Sequence, residues 1–361
     1  MEKIAINGSF VLRKVTGVER FSIEIIKELD KICDTDTYEL VIPSYIDLDF
    51  ELKNIKTVYY GKLKGKMWTQ IDFCLYTIKK HMIPLSLDSI APVFKPGLVC
   101  IHDITFKVNK DIFKGSFRYR ISLFWRNFQY FLCFKRSSLI FTVSEFSKSE
   151  MLKYYTYPSN HIIVLGNGWN HISSVIEDDS ITSKYIELCK SPFFFSLCSI
   201  GENKNLKWII ETAKYHPQYT FIIGGGAINK YGESMKKECY SNVKFVGYLS
   251  DGEIKYLMKK CKAFIYPSIY EGFGIPPLEA LSVGAKIIIS NAASLPEIFG
   301  RSAYYINPYI PCKNIDKLMK EKVEDKDYVL KRYTWENITQ KLKDSVDNYQ
   351  NENSIRFPLH W

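Results

Sequence analysis

Ala263-Phe-Ile-Tyr-Pro267-Ser-Ile-Tyr-Glu271-Gly-Phe-Gly274-Ile-Pro-Pro-Leu-Glu279-Ala-Leu-Ser-Val-Gly284 is the stretch whose reading decides the fold. Its opening apolar run, Ala263 to Pro267, is of the kind that fills a strand buried on both faces. Gly272 and Gly274 then permit a tight backbone that can approach a ligand closely. Pro276 and Pro277 preset a helix start, and Gly284 closes the helix. A buried strand, a turn and a helix make one unit of a parallel sheet covered by helices on both sides. Ligands of such sheets bind outside the carboxyl ends of the strands, often at a helix N-terminus whose amides and dipole favour anions. Glu271 and Glu279 are eight positions apart, so the first sits in the loop at the strand's end and the second on the following helix. Both are expected to face the crevice, at different depths.

The same alternation of short apolar runs and amphipathic stretches occurs twice along the chain. In the first half, strands are predicted at Lys3 to Asn7, Glu39 to Pro43, Thr57 to Tyr60, Leu98 to His102, Leu139 to Ser144 and Ile162 to Leu165. In the second they fall at Phe193 to Cys198, Tyr219 to Gly224, Val243 to Gly247, Ala263 to Pro267, Lys286 to Ser290 and Ala303 to Ile306. Between the halves, Asn170 to Ser191 is polar and rich in Ser, Asp and Thr, and is the expected linker. This gives an α/β chain of two Rossmann-like domains, 1–172 and 173–333, with a helical tail over 334–361 that crosses back to the first. Thr16-Gly-Val-Glu19, Ser250-Asp-Gly-Glu253 and Ser294-Leu-Pro-Glu297 each fit the S/T-x-x-E capping box. After Thr16, Phe21, Ile25, Leu29 and Ile32 recur at helical spacing and should cover the first sheet.

Composition narrows the class of partner. A chain of 361 residues exceeds one core of ordinary size, and 46% apolar against 24% charged residues makes it globular. A formal charge of +10 calls for an acidic partner: nucleic acid, an anionic membrane face or a phosphorylated small molecule. Nucleic acid ranks last, because the lysines are scattered and no zinc-finger spacing, basic heptad or RNP-type strand is present. Nine cysteines without a C-x-x-C pair argue against a disulfide framework or a zinc site and for a reducing compartment. The first residues read as a strand, not a signal peptide, and no run is long enough to span a bilayer. The expectation is a cytoplasmic chain, or one held at the inner face of the cell membrane.

Two further segments stand out. His102-Asp103 ends a predicted strand and should point into the crevice from the first domain, with Asp103 placed to orient the ring for acid-base work. His81, His161, His171, His216 and His360 lack such a setting and are read as surface or core. Phe117 to Arg136 mixes aromatic residues with Arg118, Arg120, Arg126, Lys135 and Arg136. It reads either as a basic aromatic helix lying on lipid or as a buried helix with snorkelling arginines.

Glu271 and Glu279 match the E-x7-E motif of glycosyltransferase family 4, and their context resembles that family too. Ile287 to Gly300, Asn307-Pro308 and Tyr333-Thr-Trp335 are similar to its C-terminal domain. Thr16 to Arg20, Ile101 to Asp103, Thr142 to Ser147 and Gly166 to Gly168 are similar to its N-terminal segments, so the resemblance covers most of the chain. It implies the GT-B fold, two Rossmann-like domains facing each other across a cleft, and a retaining transfer of a hexosyl group without a metal.

Residue by residue, the resemblance makes Glu271 the carboxylate on the donor sugar's hydroxyls and Glu279 the one on the nucleotide ribose; a carboxylate suits both by accepting several hydroxyl bonds. Phe273, Gly274 and Ile275 stand beside them as donor-binding residues. Lys204 matches the lysine that neutralises the leaving diphosphate, and His102 the histidine near donor sugar and acceptor. Where the family usually supplies an arginine this chain has Asn203, and an amide does not replace a bidentate guanidinium. Amides at Gly17 would add donors to the diphosphate.

Asp34-Thr-Asp36 and Asp47-Leu-Asp49 are D-x-D patterns of the metal-binding kind, but a lysine at the diphosphate makes a metal unnecessary, and no cofactor is expected. The implied partners are a GDP-, UDP- or dTDP-sugar, a saccharide or polyprenyl-diphosphate-linked acceptor and an anionic membrane surface. The implied setting is surface polysaccharide synthesis, O-antigen or capsule. The rivals are a sugar-nucleotide epimerase of the same fold and a non-catalytic nucleotide-sugar or saccharide-binding protein.

Overall fold

A computed structural model describes residues 2–108, 117–181, 191–197, 201–225 and 239–356, without the side chains of 117–120 and 353–356. The chain divides into two compact units, Met1–Gly168 with Trp335–Trp361, and Trp169–Thr334. Each is a parallel sheet with helices between its strands, so the α/β reading holds.

Among the described residues the first unit has seven strands: β1 (Ile4–Asn7), β2 (Tyr38–Ile42), β3 (Lys56–Tyr59), β4 (Ile83–Ser86), β5 (Leu98–Cys100), β6 (Leu139–Thr142) and β7 (Ile162–Val164). They lie in the order β3-β2-β1-β4-β5-β6-β7. Sequence reading missed β4, the central strand of the seven, because Pro84 argues against an inner strand. The geometry removes the objection. Ile83 donates its N–H to Lys3 on the β1 side, so by alternation the Pro84 nitrogen faces β5, whose ladder starts only at the Leu85–Leu98 pair. Gly97 occupies that spot with a φ of 63°, and a Cβ there would come within 2.4 Å of the Pro84 carbonyl.

Helix Gly17–Ile32 buries Phe21, Ile25, Ile26 and Leu29, whereas Ile32, expected on the same face, is exposed at the helix end. The tail forms helix Trp335–Arg356. Its Trp335 is buried edge-on against Phe21 at 6.0 Å, and Gly168 leaves no room for a side chain beside the indole. Burying an aromatic side chain of this kind is worth about 2–3 kcal/mol, which is why the chain's end belongs to its first unit.

Among the described residues the second unit has six strands: β8 (Phe193–Leu197), β9 (Thr220–Gly224), β10 (Val243–Gly247), β11 (Ala263–Tyr266), β12 (Ile287–Ser290) and β13 (Tyr304–Ile306), ordered β10-β9-β8-β11-β12-β13. Phe194, Trp208, Phe221, Ile265 and Ile288 form its core. Part of the expected linker belongs to this unit: Asn170–Ser174 is a short 3-10 turn. The chain thus passes from the first unit to the second between Gly168 and Trp169, a few residues before the expected 172/173 division. Residues 182–190 of that linker, and Cys198 of the expected strand, lie outside the described residues.

Candidate active site

β8 and β11 are neighbours, so the loops at their carboxyl ends emerge side by side. After β8 the chain makes a turn, Glu202–Lys204, that ends in Asn205 at a left-handed φ of 57°. Asparagine tolerates that region because its amide can bond locally. Here it donates to the carbonyls of Pro267 at 3.1 Å and Pro308 at 2.7 Å, tying the segments after β11 and β13 to the turn.

That turn delivers Lys204 to Glu271: Nζ to Oε1 is 2.6 Å, and Nζ also donates to the Tyr266 hydroxyl at 3.0 Å. The two charged side chains are only 16% and 13% exposed. Burial by itself would lower the Lys204 pKa, but the charge of Glu271 and the bonds to Glu271 and Tyr266 outweigh it and raise it. Burial and the Glu271 charge push the Tyr266 phenol up, so it stays protonated. Lys204 is therefore a fixed cation, and an ammonium has three N–H groups, one more than these two partners use.

Gly272, Phe273 and Gly274 lead into helix Ile275–Ser282, whose first turn holds Pro276 and Pro277. Gly274 has a φ of 105°, and a Cβ would sit 2.7 Å from Leu295 Cδ2. Phe273 is buried edge-on against Tyr333 at 5.1 Å. The capping box expected at Ser294 is replaced by a different contact. Ser294 makes no side-chain cap of its own helix. Its Oγ instead lies 3.0 Å from the Glu271 carbonyl and 3.3 Å from that of Phe273, fixing the loop that carries Glu271. Asn203 is also turned to this loop: Ile269 donates to its carbonyl at 2.8 Å and its amide approaches the Tyr270 carbonyl at 3.4 Å.

Glu279 sits on the second turn of the helix with its side chain 14% exposed. Its Oε1 is 2.8 Å from Nε2 of His171. His171, expected at the surface or in the core, is thus a partner of the site, and nothing in sequence spacing links it to a carboxylate 108 positions away.

In the first unit, Thr16 and Glu19 form the expected capping box, the Thr16 N–H donating to Glu19 at 3.2 Å, with Gly17 exposed as the first helical residue. Arg13 bridges Glu19 at 3.0 Å and buried Asp88 at 2.5 Å, and Ser9 donates to Asp88 at 2.9 Å. Burial raises the Asp88 pKa against the pull of Arg13. His102 lies two residues beyond β5, buried, with Phe21 edge-on at 4.8 Å. Asp103 does not orient its ring as expected. Asp103 Oδ1 accepts from the N–H and hydroxyl of Thr105, at 2.9 and 2.7 Å, while His102 Nε2 meets the Leu87 carbonyl at 2.9 Å. A carbonyl only accepts, so Nε2 carries the proton. Burial lowers the His102 pKa, which keeps the ring neutral and makes Nδ1 the acceptor.

Arg118 and Arg120 lie on helix Phe117–Arg136, their side chains outside the described residues. Farther along, Ile121, Phe124, Phe128 and Phe131 are exposed, and their spacing puts them on one face. His216 is buried, its Nε2 3.0 Å from the Cys312 carbonyl, and His360 lies outside the described residues. Among the described residues no three His, Cys, Asp or Glu side chains form a group able to hold a metal, and no helix is long and apolar enough to cross a membrane.

Residues 179–332 match the family model of glycosyl transferases group 1. The O-antigen chain mannosyltransferase RfbU of Salmonella typhimurium is 28% identical over 366 aligned positions, covering 93% of this chain and 97% of RfbU. The serotype-specific mannosyltransferase WbdA of Escherichia coli is 28% identical over 248 positions, and the match spans 63% of this chain but 29% of WbdA. Among solved structures, Anabaena HepE in complex with UDP-glucose superposes with a TM-score of 0.67 over 96% of this chain and all of HepE, at 15% identity. That likeness fixes the fold as GT-B.

Proposed function

From a chain that is a GT-B glycosyltransferase with a group 1 domain over residues 179–332, we propose a retaining hexosyltransferase of O-antigen or capsule synthesis. The donor is a nucleotide diphosphate sugar held by the second unit. The acceptor, a saccharide or a polyprenyl-diphosphate-linked saccharide, is taken by the first. Mannosyltransferases among the relatives put GDP-mannose first among the GDP-, UDP- and dTDP-sugars to be tried.

One observation carries the reading: a cationic amine and a carboxylate, both nearly sequestered from water, stand together at adjoining strand ends beside a glycine-bearing helix start. In the proposed reaction Glu271 accepts hydroxyl bonds from the sugar and Glu279 from the ribose. Phe273, Gly274 and Ile275 line the donor, and Lys204 takes up the charge that develops on the diphosphate, the task a metal performs elsewhere. Asn203 borders the same turn but contributes no charge. The bond from the anomeric carbon to the β-phosphate oxygen breaks. The acceptor oxygen bonds that carbon on the same face, and its proton passes to the departing phosphate oxygen. His102, neutral with Nδ1 as acceptor, takes a hydroxyl of the sugar or acceptor, and amides at Gly17 add donors to the diphosphate.

The test is release of nucleoside diphosphate on adding a lipid-linked saccharide acceptor, after a thermal-shift screen of GDP-, UDP-, dTDP- and CDP-sugars. Glu271→Ala should cut transfer by more than about a hundredfold and leave the melting profile cooperative. Near-normal turnover refutes the assignment. Turnover of the donor without acceptor would favour an epimerase, and binding without turnover a non-catalytic protein.

The chain is also proposed to act peripherally on the cytoplasmic side of the membrane, seating the exposed face of helix Phe117–Arg136 on anionic lipid. Ile121, Phe124, Phe128 and Phe131 would enter the interface, with Lys135 at its rim, and Arg118 and Arg120 belong to the same helix. Co-sedimentation with phosphatidylglycerol vesicles should fall several-fold in a Phe124→Glu, Phe128→Glu variant, and unchanged partitioning removes the idea.

A further inference from the structure

We propose that His171 is a positioning residue for the nucleotide, holding Glu279 in the one orientation that receives the ribose; this rests on the reading of Glu279 given above. The turn that carries His171 is pinned from both sides. Trp169 donates its indole N–H to the Leu330 carbonyl at 2.9 Å, and Lys255 donates to the carbonyls of Ser173 at 3.1 Å and Val175 at 2.8 Å. Ser174 closes the turn on itself by donating to the His171 carbonyl at 3.0 Å. The backbone of His171 is thus set by contacts that do not involve Glu279.

From this fixed base the imidazole reaches Oε1 of Glu279 at 2.8 Å, with the His171 side chain 7% exposed. A carboxylate oxygen accepts, so Nε2–H is the donor and Oε1 is occupied. Oε2 is left for ligand hydroxyls. A glutamate on a helix ordinarily explores several rotamers, and freezing it on binding costs affinity. His171 freezes it beforehand, and a bond to an ionised acceptor is of the stronger kind.

Calorimetric titration of the full chain with GDP and UDP, each beside its 2′,3′-dideoxy counterpart, separates this role from general support of the fold. His171→Phe keeps a ring but loses the donor. It should weaken the ribonucleotide about tenfold, the scale of one bond to a charged group, and leave the dideoxy form unchanged. His171→Gln restores a side-chain N–H and should recover most of the loss. Equal weakening of both ligands, no weakening, or failure of the glutamine variant to recover overturns the proposal. Glu279→Ala marks where a failure lies. If it abolishes the preference for ribose while His171→Phe does not, only the role of His171 falls. If the unaltered protein shows no such preference, or Glu279→Ala retains it, the ribose reading falls as well.

Discussion

The two units present different chemistry at the carboxyl ends of sheets built alike. In the second, the groups that matter are matched: Lys204 with Glu271, and Glu279 with the N–H of His171. The first also holds an ion pair, Arg13 with Glu19, but its buried histidine and its most buried carboxyl are shifted toward their neutral forms. His102 is buried with its pKa lowered, and Asp88 is buried with its pKa raised and tied to Arg13. Charge kept in a dry place is expensive unless paired. The proposed reading, a charged donor on the second unit and a hydroxyl-bearing acceptor on the first, is consistent with this difference.

The largest effect should come from splitting the matched pair. Lys204→Met leaves Glu271 with its attraction gone and little water to replace it, costing about 3 kcal/mol of stability. Transfer should fall at least a hundredfold, since a developing diphosphate charge loses its cation. Adding Glu271→Gln removes the stranded charge and should recover most of the melting temperature but none of the activity. Calorimetric melting and product release, measured on the same samples, check both halves. A single variant as stable as the parent would mean that the pair is solvated, and the contrast between the units would collapse.

How far this was legible in the sequence differs by kind of interaction. The α/β class follows from patterns local to each element: the apolar run Ala263 to Pro267, the glycines at Gly272 and Gly274, the prolines after them. Contacts between distant segments did not show. β4 was hidden by Pro84, whose missing N–H matters only on the side where the neighbouring ladder has not begun. Ser294 has the spacing of a capping residue, yet its hydroxyl serves the Glu271 loop, a choice made by packing. Asp103 follows His102 in sequence but its carboxylate turns to Thr105, the bond nearest along the chain. His171 reaches Glu279 only because a turn pinned by Trp169 and Lys255 brings it there. Residue type and spacing identify acids and amines; which of them meet depends on loops whose course local pattern does not encode.

The smallest effect, and the sharpest on the first unit, is the pH dependence of its stability. An imidazole buried neutral has a folded pKa below its unfolded value of 6.5, the direction found for His102. As pH falls through 6.5 the unfolded chain takes up a proton that the folded chain refuses, so this group's contribution is lost on acidification until its lowered folded pKa is passed. Asp88, raised by burial, has the opposite sign: its contribution is present at low pH and lost as pH rises from its unfolded value of 3.8 through its folded pKa. The two slopes have opposite signs, so the parent protein alone does not separate them. His102→Gln retains an N–H for the Leu87 carbonyl and has nothing to titrate. Subtracting its melting temperatures from the parent's between pH 7 and pH 5 should leave a difference that moves against the parent as pH falls. A difference that stays flat would show the His102 ring free to take a proton in the folded chain, and the neutral form assigned to it would be wrong.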